Sequence, residues 1–412
     1  MNEAPLLVQL QRIDGNWVDV GVLRTRYDTN WFETFEGYWS LARRPVLGQV
    51  FEDHRQDWKP STKVAIPRWF SHLLPEGSLR NAVANAAGIN RVRELPLLSA
   101  LGAEDLPGAL RVFPWDGESD SEPPTDPDDD DSAQFLDPVL KFSLAGLQMK
   151  FSIHSSDRGL TVPVSGAAGN MILKLPDRRA GFEGVPEAEF AAMTLASRAG
   201  LRVPRVAMVD ARTVDGLGKW AESGGRQSFA IERFDRRADG QRIHVEEFAQ
   251  IFDIATAREQ AKYRYTNFEA VANVSARLTG IDSVGEVIDR IVFNVLIGNG
   301  DAHLKNWAVE YPDGINPELS PLYDVVPTVL YVDEDDLGLN LNGSKRFVDV
   351  LPDSFGRIGK VTEFGESQAI ARATEAVHRV REVWPELKEM LPSDQFERLT
   401  QRMGELPLSA SV

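Results

Sequence analysis

Phe293 to Trp307 reads FNVLIGNGDAHLKNW. Apolar residues at helical spacing lead into it (Val287, Ile291, Val292, Val295, Leu296) and predict a helix over 284–297. Gly298-Asn299-Gly300 is a strong breaker and stops that helix abruptly. Asp301 comes next, and Asn306 stands five positions after it. A short loop behind a stopped helix cannot wander. On it, a carboxylate can be held against an attacking hydroxyl while an amide oxygen faces a metal ion.

The Asp-x-x-x-x-Asn spacing is that of a protein-kinase catalytic loop. Alone it occurs often by chance, so its surroundings decide. Asp324 lies eighteen residues beyond Asn306 in Leu322-Tyr323-Asp324-Val325-Val326, after a short strand expected at 307–310 and a turn at Asp313-Gly314. That is the place of the kinase aspartate that binds Mg²⁺ at the nucleotide phosphates. Its plainer reading is a turn carboxylate. Upstream, Lys174 sits inside the apolar run Met171–Leu175, MILKL, where a lysine is costly unless paired. It suits the lysine that neutralises nucleotide phosphates, or else an edge-strand lysine facing water. Glu187 and Glu189, at the start of the helix expected over 187–199, are candidate partners, and Glu189 is preferred.

Two further segments flank these. Phe142 to Phe151, FSLAGLQMKF, has small residues at 143, 145 and 146 that allow close backbone approach to phosphates. Phe229 to Arg236, FAIERFDR, reads as a strand turning polar, between the lysine strand and the Asp301 loop. A kinase hinge that binds adenine through its backbone lies there, with Glu232 and Phe234 as candidates and Asp235 in reach of a ribose. An ordinary amphipathic strand reads the same way.

Composition sets limits. The chain has 412 residues, 42% of them apolar, which is enough for two or three packed units. It contains no cysteine, which excludes disulfides, thiolate metal sites and a cysteine nucleophile. The six histidines show no His-x₃-His spacing, so a zinc site is not expected. No apolar run of membrane length and no signal-like start appear, which predicts a cytoplasmic protein without membrane contact. A net charge of −17 opposes direct binding to nucleic acid.

Four regions are expected. Residues 1–113 form a first, β-rich unit, with strands at Leu6–Leu10 and Trp17–Leu23 joined through Asp14-Gly15, then a helical stretch over 80–101. Residues 114–137 read as an acidic linker or loop, because 116–131 hold nine carboxylates and three prolines and nothing apolar. Residues 138–240 carry the phosphate loop, the lysine strand and the hinge. Residues 241–412 read as a mostly helical lobe, with tail helices at 366–383 and 394–404.

Taken in order, the motifs are Ser-Leu-Ala-Gly-x-Gln-x-Lys (143–150), Ile-Leu-Lys-Leu-Pro (172–176), Glu-x-Glu-Phe (187–190), Ile-Glu-Arg-Phe-Asp-Arg (231–236), Gly-Asn-x-Asp-Ala-His-x-Lys-Asn (298–306) and Ser-Pro-x-Tyr-Asp (320–324). This series resembles the HipA family of bacterial toxin kinases, and 101–110, LGAEDLPGAL, resembles the end of that family's N-terminal subdomain. The resemblance implies an α+β, protein-kinase-like two-lobed fold with a β-rich N-terminal subdomain and a mostly helical C-terminal lobe. It implies ATP and Mg²⁺ as cofactors. Asp301 would be the catalytic base, and Asn306 and Asp324 the metal ligands. Ser143, Ala145, Gly146, Gln148, Lys150 and Lys174 would contact phosphates. Glu232 and Phe234 would form the hinge, with Asp235 and His303 near the ribose. Ser143 corresponds to the family's autophosphorylated serine. The substrate implied is a protein, such as an aminoacyl-tRNA synthetase, whose phosphorylation arrests translation. The partner implied is a HipB-like helix-turn-helix antitoxin, through which alone DNA would be met. Met149, where the family's loop more often has Glu, and the acidic insert at 116–131 depart from the pattern. A small-molecule kinase and a catalytically silent corepressor are the competing readings.

Overall fold

The computed structural model describes residues 4–411 apart from 56, 77–79, 82, 86–87, 91, 102–104, 118–148, 157–158, 163–168, 177–179, 224–226, 257–260, 265 and 334–335. Ser143, Ala145, Gly146 and Gln148 therefore lie outside the described residues, as does most of the acidic stretch.

The first unit is built on an antiparallel sheet in the order β4-β3-β2-β1-β5. Its strands are β1 (Leu6–Gln11), β2 (Trp17–Arg26), β3 (Thr29–Thr34), β4 (Ser61–Lys63) and β5 (Leu110–Pro114). The expected β1–β2 hairpin forms, with Leu6 opposite Leu23, and Gly15 takes the positive φ of 81° that its turn needs. One face buries Val8, Leu10, Leu23 and Phe32 against Phe51, Trp69 and Phe70. Of the helical stretch expected at 80–101, α1 (Glu94–Leu101) is its long described piece.

The second unit carries a six-stranded sheet in the order β10-β7-β6-β8-β11-β9. These strands are β6 (Lys150–Ser156), β7 (Gly159–Thr161), β8 (Met171–Lys174), β9 (Val206–Val209), β10 (Val214–Asp215) and β11 (Ser228–Glu232). The lysine strand β8 lies between β6 and β11, paired antiparallel with both. Its apolar composition follows from cover on both faces: Met171 and Leu173 pack with Ile153 and Ala230 on one side, and Ile172 packs against the core of the helical lobe on the other. Helix α2 (Val185–Arg198) packs across the sheet.

The remaining chain is mostly helical, as expected. Its long helices are α3 (Phe268–Thr279), α4 (Ser283–Ile297), α5 (Glu366–Val383) and α6 (Ser393–Glu405). Every residue of α4 from Val287 to Ile297 is buried, so it is the axis of this lobe rather than a surface helix. Helix α5 presents Ala369, Ala373, Ala376, Val377 and Val380 on its buried face, and such small side chains allow close approach. The short strand expected at 307–310 is β13 (Ala308–Tyr311), and it lies in a three-stranded sheet with β12 (His244–Glu247) and β14 (Glu318–Leu319), which were not expected. Among the described residues, no helix is long and apolar enough to cross a membrane.

The first unit is fastened to the rest by buried polar groups. Glu246 on β12 is fully buried and accepts from the Trp69 indole at 2.8 Å, the Gln49 N–H at 3.0 Å and the Tyr311 hydroxyl at 3.0 Å. A second fastening joins Asp105 and Gly108 to Arg233, Asp235 and Arg236.

Candidate active site

Helix α4 ends at Gly298 in the left-handed conformation, φ 77°, with its N–H bonded back to the Asn294 carbonyl. A Cβ there would stand 2.4 Å from a Val329 methyl, so both backbone and space call for glycine. Asn299 is buried and does two things. Its side-chain N–H donates to Asn294 Oδ1 at 2.8 Å, and its Oδ1 accepts from the Asp301 N–H at 3.0 Å. The Gly300 N–H donates to Thr328 Oγ1 at 2.7 Å. Asn306 closes the loop by donating its side-chain N–H to the Asp301 carbonyl at 2.7 Å. That bond fixes which end of the amide is nitrogen and turns the Asn306 Oδ1 the other way.

The Asp301 carboxylate accepts from the Tyr263 hydroxyl at Oδ1. His303 Nε2 lies 3.7 Å from the same oxygen, and its ring packs edge-on against Tyr263 at 4.9 Å between centroids. Burial, reinforced by the charges of Lys262 and Lys305, holds the imidazole well below its usual pKa, and it is neutral. Only 1% of His303 is exposed, and its ring lies packed against Tyr263 beside the loop.

Asp324 is reached from the opposite wall. Lys174 donates 2.5 Å to Glu189 Oε1 and also donates to Asp324 Oδ1, while Lys150 Nζ lies 3.4 Å from Asp324 Oδ2. The lysine is 5% exposed at its side chain and Glu189 is 0% exposed, so this is a buried charge cluster and not a surface pair. Of the two candidate glutamates, the structure selects Glu189. Burial works against ionisation of Asp324, but Lys150 and Lys174 outweigh it and hold the carboxyl far below the usual range. For Lys174, burial is likewise outweighed, by Asp324 and Glu189, and the ammonium keeps its proton above the usual lysine value. Burial pushes Glu189 up despite Lys174. Asp324 also adopts φ 58°, a left-handed backbone that a non-glycine residue occupies only at some cost, about 1 kcal/mol or more. Tyr323, just before it, anchors the turn by donating to the Lys305 carbonyl at 2.9 Å.

The hinge candidates lie at the end of β11. The Glu232 N–H donates to the Arg205 carbonyl at 2.8 Å, and the Phe234 ring sits 5.4 Å from Tyr323, next to Asp324. Asp235, just beyond the strand, is buried. Its oxygens accept from Arg233 at 2.9 Å twice, from Arg236 at 2.9 Å and from the Gly108 N–H at 2.8 Å. Burial is outweighed there by Arg233 and Arg236, and the carboxyl is held far below the usual range. A carboxylate so fully engaged fastens the two units together.

Three residues from outside the quoted motifs, Tyr263, Lys262 and Glu76, join the site together with Lys305. Tyr263 touches Asp301, and Glu76 of the first unit pairs with Lys262 at 2.8 Å and with Lys305 at 2.9 Å. Only Lys305 stood within a quoted motif. For metal, the oxygens that fit are Asp324 Oδ2 and Asn306 Oδ1. Among the described residues no group of three or more His, Asp or Glu side chains could hold an ion. That sparse set fits Mg²⁺, which takes further ligands from water and phosphate.

Comparison with known proteins gives the family and the fold. The HipA-like C-terminal domain matches residues 142–385 and the HipA N-terminal domain matches residues 14–113. The Sinorhizobium fredii protein named "Putative kinase Y4dM" is 40% identical over 366 residues, covering 87% of this chain and 86% of its own. The serine/threonine-protein kinase toxin HipA of Shewanella oneidensis is 22% identical over 302 residues, 66% of this chain and 65% of that one. The fold matches the Shewanella oneidensis HipA complex with HipB and operator DNA at TM-score 0.70 and 17% identity, over 98% of this chain and 96% of that one. The two-lobed α+β architecture is thus that of HipA, and the chain belongs to the HipA family.

Proposed function

We propose that this chain is an ATP- and Mg²⁺-dependent kinase that phosphorylates serine or threonine on a protein and acts as a bacterial toxin. The observation that carries the reading is the buried Lys174–Glu189 pair held on Asp324, beside a loop that presents Asp301 and Asn306. Lys174 and Lys150 bind phosphate oxygens. Glu232 and Phe234 border the adenine. Asp301 accepts the proton of the acceptor hydroxyl as its oxygen bonds to the γ-phosphorus and the bond from that phosphorus to the bridging oxygen breaks, releasing ADP; its carboxylate is held for this by Tyr263. Bound Mg²⁺ would offset the charge of the phosphates, with Asp324 and Asn306 as its protein ligands.

The finer assignments follow the family. An aminoacyl-tRNA synthetase is the proposed substrate. A HipB-like antitoxin is the proposed partner, in line with the Shewanella complex. DNA would be met through that partner, since a net charge of −17 repels it. The setting is the cytoplasm. Autophosphorylation at Ser143 would add about 1.5 to 2 negative charges to a loop that must approach a triphosphate, so Ser143→Asp is expected to bind ATP poorly by calorimetry.

Transfer of label from γ-labelled ATP, in single turnover, to the chain itself, to protein extract and to metabolite pools tests the whole reading. Transfer to protein that vanishes in Asp301→Asn supports it. Transfer only to metabolites replaces the substrate class. No transfer to any acceptor removes the kinase.

A further inference from the structure

We propose that Glu76, supplied by the N-terminal unit, is a positioning residue of the phosphoryl-transfer centre, setting the catalytic loop through Lys305 and Lys262. The inference rests on the kinase reading above and adds to it that the first unit completes the active site.

Glu76 is 186 residues from Lys262 and 229 from Lys305, yet it bonds both. One oxygen takes Lys262 at 2.8 Å and the other takes Lys305 at 2.9 Å. Each lysine is the chain neighbour of a residue that touches Asp301. Lys262 precedes Tyr263, whose hydroxyl donates to the Asp301 carboxylate. Lys305 precedes Asn306, whose amide donates to the Asp301 carbonyl. The Lys305 carbonyl also accepts from Tyr323, which precedes Asp324. A single carboxylate therefore joins the two supports of the base and the turn that carries the second acid.

The burial of the partners makes the contact consequential. The Lys262 side chain is 5% exposed and that of Lys305 is 14% exposed. Without Glu76, Lys305 would keep the His72 carbonyl at 3.4 Å and Glu247 at 3.8 Å, both longer than its present bond. Two ammoniums crowded together repel, and each would drag its neighbour by a fraction of an ångström. Displacement of a reacting group by about 1 Å can cost on the order of 100-fold in rate.

The test uses the full chain with Mg²⁺–ATP. E76Q keeps shape and removes charge. We expect it to lower kcat about tenfold or more while KM for ATP changes less than about threefold. E76D, which keeps the charge, recovers part of the loss. In E76Q/K305Q the combined loss is expected to be smaller than the product of the two single losses, because part of the Glu76 effect runs through Lys305. Loss of folding would not produce that non-additivity, and melting curves of each variant check it. Should E76Q fail to fold, the E76D variant carries the test with the same kcat-against-KM readout. Wild-type kcat in E76Q, a loss confined to KM, or simple multiplication of the two single effects would overturn the assignment. Absence of transfer in the wild-type chain would instead overturn the kinase reading itself.

Discussion

Replacing Lys174 with Met keeps most of the side chain's length and apolar stem but removes the ammonium that two carboxylates share. Glu189, 0% exposed, then loses its 2.5 Å partner, and its other oxygen already has no hydrogen bond among the described residues. Asp324 is better placed, because it is 19% exposed at its side chain and keeps Lys150 at 3.4 Å. Breaking a buried pair from one side typically costs about 3–5 kcal/mol. Glu189 can escape part of that cost by binding a proton. Its pKa, already raised by burial, rises further once the offsetting charge of Lys174 is gone. Between the ordinary glutamate value and that raised value, the folded chain holds a proton that the unfolded chain has released. Stability in this window must therefore fall as pH rises, by about 1.4 kcal/mol per unit at the steepest. Urea unfolding followed by tryptophan fluorescence at about pH 5.5 and about pH 8 measures this. The destabilisation of Lys174→Met relative to wild type should be larger at the higher pH by roughly 1–3 kcal/mol. Adding Glu189→Gln should abolish the difference. Equal destabilisation at both pH values, or no recovery in the double variant, would refute the claim that Glu189 is the group left stranded.

Three further outcomes are expected. Asp301→Asn should lower turnover by about 10²–10⁴-fold with little change in nucleotide affinity, as single-turnover label transfer and calorimetry would show. Burial, outweighing bonds from Trp69, Gln49 and Tyr311, raises Glu246 to about 7, so its share of stability falls as pH rises from the ordinary glutamate value to that point. Glu246→Gln should flatten this decline in unfolding midpoints, whereas Glu246→Ala should cost about 3 kcal/mol by leaving buried donors without an acceptor. Gly298→Ala meets both a positive φ of 77° and a Val329 methyl at 2.4 Å, and should destabilise by about 2 kcal/mol or more in urea unfolding while slowing label transfer.

Much of the fold was legible because its signals are local. The strand at Met171–Lys174, the helix at Ser283–Ile297 and the Gly298 stop were each readable from a dozen residues. Even the choice of Glu189 over Glu187 has a local cause. Glu189 shares a helix face with Met193 and Ala196, four and seven positions on, and all three are buried. The residues whose roles are not legible locally have partners far away in the chain. Asp235 reads as a polar strand end, and only the fold brings Gly108, 127 residues away, to its carboxylate. Glu76 follows a proline in a stretch with no motif, and nothing near it announces two lysines. The strand at 307–310 is legible, but the sheet it forms with β12 and β14 is not, for a similar reason. His244–Glu247 is only four residues long and pairs with a strand some sixty positions later.

The resting charge of the site also constrains how it loads. Lys150 and Lys174 supply two positive charges, and Asp324 and Glu189 supply two carboxyls on the same cluster. In this arrangement Lys174 serves Asp324, the residue best suited to hold a divalent cation, and is itself the residue best suited to hold phosphate. A polyphosphate entering alone would draw Lys174 away and confront an unbalanced Asp324. A cation entering alone would compete with two ammoniums for one carboxylate. Entering together, each supplies the partner that the other displaces, so every buried charge remains paired. Linkage then requires each ligand to raise affinity for the other by the same factor. The left-handed backbone of Asp324 fits this exchange, because it keeps the carboxylate between both lysines, where a small movement trades one partner for another.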